Sequence, residues 1–259
     1  MNWLNRAISF AYRNYIFAKR SFFSFAEIMF WPVVGLFSIG LMGNFLKFTK
    51  PQLGFILSGV IAMGVLQVNQ LDVAYCLLFD IWGKSIKHTF LSPTGISELM
   101  IGSWFIGIIR GILVFFILTI FSYIFFDFYL PGIFPTFIFL TGLFLNGLII
   151  GMSVCYFILT FGQRAEVTAW SLVIIVLLLS GIYYPVEIFP PFFKFLAKLL
   201  PLTYFLEYFR TFYGFSFSSK FLILKAFALS FLYIGGNFLV LNIALKSAKK
   251  KGTLIKLSE

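Results

Sequence analysis

Histidine, acidic side chains and cysteine are all scarce in this chain of 259 residues, which holds one histidine, His88, nine Asp or Glu, and two cysteines, Cys76 and Cys155. A metal centre needs several His, Cys or carboxylate ligands together, and a covalent hydrolase needs a nucleophile with a base in reach. One histidine in a loop and a GMSVC stretch outside the G-x-S-x-G frame supply neither. A membrane enzyme such as a rhomboid-type protease or an acyltransferase is therefore disfavoured. No G-x-x-x-x-G-K-[ST] phosphate loop occurs, so any ATP must be handled by another polypeptide. Both cysteines lie in apolar stretches, where a thiol behaves as a small hydrophobe, and no disulfide is expected. Charge of either sign is also sparse. Only 11 % of residues are charged and 61 % are hydrophobic, against about 25 % and 45–50 % in a soluble domain. A water-soluble fold of this size cannot hide that much apolar surface, whereas a bundle facing lipid can. No small-residue cleavage pattern follows the first apolar stretch, so no secretory signal peptide is read and the N-terminus is expected to be retained.

What is present is length in apolar runs. A span takes roughly 20 apolar residues, and six stretches qualify: Glu27–Phe45, Leu53–Leu78, Leu99–Phe126, Pro135–Thr160, Val167–Tyr184 and Phe221–Leu245. No linker divides them, so the chain reads as one all-α, polytopic domain over 1–259. The net charge of +11 is explained by topology and anionic headgroups rather than by nucleic acid. With the N-terminus inside, twelve Lys and Arg residues fall on the inner side, the KSAKKK cluster among them, against seven outside. Excess positive charge marks the cytoplasmic side, so both termini are expected in the cytoplasm. The 38 phenylalanines fit a generic lipid-facing role.

Four segments stand out. Over 1–22, Leu4, Ile8, Ala11 and Tyr15 recur at helical spacing, with Arg6, Arg13 and Arg20 on another face, which predicts a basic amphipathic helix. It either lies in the inner headgroup layer or also touches a cytosolic partner. Over 79–98, Phe79, Trp82, Ile86 and Phe90 fall on one helical face, with Asp80, Lys84, Lys87 and His88 on the other, until Pro93 stops the helix. Such a ridge suits docking to a second protein, the alternative being a helix resting on headgroups. Over 185–220, Pro185, Pro190, Pro191 and Pro201 cut the chain into two apolar pieces of about ten residues, too short to cross a hydrocarbon core of roughly 30 Å. They are expected to dip into the outer leaflet and return. Thr203 can cap the second piece, and the spacing of Glu207 and Arg210 lets them pair. Tyr204 and its neighbouring tyrosines suit an interfacial belt. Inside the spans, Gln67, Asn69, Gln70 and Asp72 sit in the second and Arg110 in the third. Each intramembrane charge needs a partner, so Asp72 and Arg110 are expected to pair, with Arg110 on a substrate path as the alternative. GIIRG, from Gly107, and GLIIG, from Gly147, match the small-xxx-small helix-packing pattern.

The layout resembles the permease subunit of type 2 ABC exporters. SGIYYPVEIFPP followed by LPLTYFLEYFR is similar to that family's Gly, aromatic and Pro, then Pro-Leu-Thr-Tyr and Arg. DIWGKSIKHTFLSPTGISELMIG resembles its coupling loop, although Lys84, Ser85 and Lys87 stand where many members carry an acidic residue and a Thr after Gly83. The resemblance implies a permease with six spans, an interfacial helix, a coupling helix and two re-entrant helices. It further implies a homodimer joined by two ATP-binding subunits, which would carry ATP and Mg, with no cofactor on this chain. The setting would be a bacterial inner membrane. The substrate would be amphipathic or lipid-like, a drug or a lipid, with lipid-linked polysaccharide as an alternative and a non-transport scaffold as a further one.

Overall fold

The structure, a computed structural model, describes residues 2–20, 22–91, 94–216 and 221–250. Pro93, expected to stop the helix, and Lys220, Lys251 and Lys256, among the nineteen Lys and Arg of the charge balance, lie outside the described residues. Among the described residues ten α-helices follow one another: α1 (Trp3–Arg20), α2 (Phe22–Phe45), α3 (Lys50–Trp82), α4 (Ile86–Leu91), α5 (Ile96–Phe126), α6 (Ile133–Phe161), α7 (Thr168–Leu179), α8 (Pro191–Leu199), α9 (Pro201–Thr211) and α10 (Leu222–Lys250). Short 3₁₀ turns at Gln163–Val167 and Val186–Ile188 precede α7 and α8, and no strand occurs among the described residues.

Four helices, α3, α5, α6 and α10, are long and apolar enough to cross a membrane, and α2 adds a shorter apolar stretch, Met29–Phe45. The stretch expected as a fifth span departs from expectation. Its α-helix, α7, has only 12 residues, about 18 Å at 1.5 Å each. The five-residue 3₁₀ turn before it brings the run to about 28 Å at roughly 2 Å per residue. At its far end Gly181 takes a left-handed φ of 73° and Pro185 follows, so the helix stops well before Tyr184.

Local chemistry places the ends. The Thr49 N–H donates to the Gln52 side chain, with Pro51 in the first turn of α3. The Gly95 N–H donates to Glu98 at 3.0 Å, opening α5. Asp127 ends α5 in the left-handed conformation, which Asp tolerates better than most residues.

α3 is the axis of the bundle, 33 residues long and buried along most of its length. At about 50 Å it exceeds a hydrocarbon core of about 30 Å. One buried cluster joins α3, α4, α6 and α10 around Leu77, Ile86, Phe90 and Leu245; a second joins α3, α5, α6 and α9 around Val65, Leu118, Phe139 and Phe209. The first lies at the end of the bundle that carries α4 and α1, and the second extends to the opposite end, that of α9.

The small-xxx-small glycines face α3. A Cβ at Gly107 or at Gly147 would run into Asn69, so these positions let a polar amide of α3 wedge between α5 and α6.

A docking end and a carbonyl-bound arginine

The segment expected to form one ridge is broken. α3 continues to Trp82, the chain turns at Gly83 and at Lys84, whose φ is 53°, and α4 restarts at Ile86. The turn is closed by the Ser85 N–H donating to the Asp80 carbonyl at 2.8 Å, and by the Ser85 hydroxyl donating to the Asp80 carboxylate at 2.9 Å. The break rotates α4 relative to α3, so the four apolar residues do not share a face. Ile86 and Phe90 are buried within the permease, while Phe79 and Trp82 remain 40 % and 41 % exposed. Asp80, expected on the outer polar face, is buried. Phe79, Trp82 and Tyr75 form a mutually edge-packed aromatic triad with ring centroids 5.6–5.8 Å apart. On α4 the residues that reach outward are His88 and Leu91, the latter 81 % exposed.

This end is tied down by ion pairs from α1. The Arg13 guanidinium donates to the buried Asp80 carboxylate at 2.8 Å, and Arg6 pairs with Glu98 at the start of α5 at 3.0 Å. Asn14 donates to the Ser103 hydroxyl at 2.7 Å. The helix lies so close to α5 that a Cβ on Gly102 would strike the Ala7 carbonyl and the Phe10 side chain. The amphipathic helix is thus present, but the arginine side of it packs inward and Leu4, Ile8 and Tyr15 are exposed. Charge decides this, because two buried carboxylates on α3 and α5 need cations and apolar residues can face lipid at no cost. From the other side, Lys249 of α10 donates to the Phe90 carbonyl at 3.1 Å, with its ammonium 5.7 Å from the Phe90 ring centroid, capping the end of α4.

At mid-bundle the structure brings Asp72 of α3 and Arg110 of α5 together in a hydrogen-bonded ion pair, each side chain about one-seventh exposed. Gln70 donates to the Ala169 carbonyl of α7 at 2.9 Å.

At the α9 end, Pro190 precedes α8, Pro191 and Pro201 occupy first helical positions, and Pro185 opens the 3₁₀ turn. Leu200 ends α8 and begins α9 at once, held extended by the proline that follows it. Thr203 does not cap its own helix. Its hydroxyl donates to the Ala197 carbonyl at 2.8 Å, and the Tyr204 hydroxyl donates to the Lys198 carbonyl at 2.8 Å, so both satisfy the open end of α8.

Glu207 and Arg210 form no ion pair here. Arg210, 2 % exposed, turns into the bundle. It donates to the Gly181 carbonyl at 2.7 Å, the Phe55 carbonyl at 3.3 Å, the Ser58 hydroxyl at 3.4 Å and the Ile182 carbonyl. Its guanidinium carbon lies 3.6 Å from the centroid of the Phe55 ring. The forked guanidinium matches the Gly181 and Ile182 carbonyls of the turn after α7 and the Phe55 carbonyl of α3, which a carboxylate at i−3 cannot replace. Phe209 stacks on Phe139 of α6 at 4.1 Å, so α9 is wedged between α6, α3 and α10.

Three features lie beyond the sequence reading: the pairs from α1, the Lys249 cap and the carbonyl cage of Arg210. Arg6 and Arg13 at a spacing of seven, in a chain with so few carboxylates, were the available signal for the first. No sequence signal marks the other two.

A helical membrane bundle with a braced end, an exposed aromatic triad and a proline-broken helix pair at the opposite end defines a polytopic permease-like protein. The family model for the ABC-2 type transporter matches residues 11–214, and the chain belongs to that family. It is the transmembrane component of an ABC transporter, a family whose members work with an ATP-binding cassette subunit. An uncharacterized protein of Archaeoglobus fulgidus is 49 % identical over 43 residues, covering 17 % of this chain and 67 % of that protein.

Proposed function

We propose that this chain is the permease subunit of an ATP-driven exporter. Two copies pair with two ATP-binding subunits, which bind ATP and Mg, and move an amphipathic or lipid-like substrate, a drug or a lipid, out of the cytoplasm or its inner leaflet. The chain crosses the membrane six times through α2, α3, α5, α6, α7 with its 3₁₀ turn, and α10. The α4 end faces the cytoplasm together with both termini, and α8 and α9 are re-entrant from the outer side.

The observation that carries this reading is the α4 end. It offers large exposed apolar side chains, Phe79, Trp82 and Leu91, on a base that ion pairs and the Lys249 cap hold in place. Aromatic anchors of this kind dominate protein interfaces when a partner covers them. Gly83 supplies the turn beside them, and Ile86 and Phe90 support the surface from within. Truncating an interface anchor costs about 2 kcal/mol or more, roughly thirtyfold in affinity. The test is retention of the ATP-binding subunit on detergent-solubilised permease. Trp82→Ala is expected to lose most of it while the permease stays folded. Ile86→Ala is expected instead to lower permease stability, by about 2–5 kcal/mol for a buried large-to-small change. Full retention by Trp82→Ala would overturn the docking role.

A further inference from the structure

α6 and α10 are tied at mid-length, where the Asn237 amide donates to the Ile149 carbonyl at 3.2 Å and the Ser153 hydroxyl donates to Asn237 at 3.4 Å. One turn nearer the α4 end the two helices part. The gap is a groove of about 400 Å³, walled by Tyr156, Leu159 and Thr160 of α6 and by Val240, Ile243 and Ser247 of α10. Its walls are apolar along the length of the helices and hydroxyl-bearing towards the end. Val240, Ile243, Ser247 and Lys250 follow one another three or four residues apart, so the face of α10 that lines the groove continues into an ammonium group. On the other wall α6 stops at Gly162, and the exposed Arg164 follows directly. Lys246 is exposed beside Ser247. Among the described residues none of Arg164, Lys246 and Lys250 joins an ion pair.

α10 is the least buried of the four long helices, and Ile243 is largely exposed, so the groove opens sideways. An apolar slot that ends in hydroxyls and exposed cations complements an amphiphile with an anionic head. We propose that this groove binds an anionic phospholipid. One hydrocarbon chain lies along Leu159, Val240 and Ile243, and the headgroup phosphate sits at Ser247, Lys250 and Arg164. Basic pockets between membrane helices select anionic headgroups in this way. The site is separate from the α4 surface and does not depend on the exporter reading.

The test is native mass spectrometry of the full chain in detergent, titrated with dioleoyl phosphatidylglycerol or with dioleoyl phosphatidylcholine. Phosphatidylglycerol is expected to bind about thirtyfold more tightly, as two cations at the headgroup warrant. The double variant R164E/K250E, changed only at exposed positions, is expected to bind both lipids alike. Ile243→Trp, which fills the slot, is expected to weaken both. Equal binding of the two lipids by the wild type, or a preference untouched by R164E/K250E, would overturn the site. Displacement of phosphatidylglycerol by millimolar inorganic phosphate would also overturn it, by assigning the cations to a free anion. So would a detergent-stable dimer that Ile243→Trp dissociates, because the groove would then belong to a second copy.

Discussion

Replacing Arg210 with Met keeps much of the volume and removes every donor. The Gly181 and Ile182 carbonyls, in the turn that follows α7, lose their guanidinium partner, and each buried acceptor left open costs about 1–3 kcal/mol. Phe55 loses less, since the Ser58 hydroxyl also donates to its carbonyl. The two carbonyls together cost about 2–6 kcal/mol; no longer burying the guanidinium charge offsets part of this, and the net loss is about 2–4 kcal/mol. A chain of this size shifts its melting point by about 2–4 °C per kcal/mol, so Arg210→Met should melt roughly 5–15 °C below the wild type. The assay is tryptophan fluorescence during a thermal scan in detergent at one fixed rate, since membrane proteins unfold irreversibly and the midpoint depends on rate. Arg210→Lys should recover less than half of the loss, because one ammonium cannot span carbonyls from two helices. A melting point for Arg210→Met within about 2 °C of wild type would refute the idea that this cage holds α9 to α7.

Reversing the mid-bundle pair, as Asp72→Arg with Arg110→Asp, should restore a stability that each single change lowers by up to about 3 kcal/mol, and two singles as stable as wild type would dismiss the pair. Asp80→Asn should cost about 1.5–3 kcal/mol through its weakened bond to Arg13, and faster proteolytic cutting within α1 is the readout. Gly102→Leu should push α1 off α5 and produce the same cutting pattern without touching any charge. For topology, single cysteines at Lys194 and Lys198, with Cys76 and Cys155 removed, should react with a membrane-impermeant thiol reagent added outside intact cells. Labelling only after permeabilisation would reverse the orientation of the chain.

Much of this architecture was legible because membranes impose it. Twenty-residue apolar runs and proline spacing at 185–201 act through rules that need no neighbour. The faces were harder. Periodicity divides α1 into an arginine side and an apolar side, yet it does not say which turns inward; Asp80 and Glu98, on other helices, decide that. The same blindness affected Phe79–Phe90. A left-handed Lys84 carries no glycine signature, so periodicity makes the helix continuous and turns Ile86 and Phe90 outward, although they close the permease's own core. Spacing pairs Arg210 with the nearest carboxylate in sequence, Glu207, because main-chain carbonyls leave no trace in the order of side chains.

The two arginines of α1 have a mechanical meaning. Arg13 holds the last turn of α3 and Arg6 holds the first turn of α5, so one helix is bolted to both feet of the hairpin whose tip is α4. Such a splint takes away the slack a connecting loop would otherwise have. Under the proposed docking role, a load applied at α4 passes into α3, α5 and α1 as one lever instead of being taken up by bending of the segment between the feet.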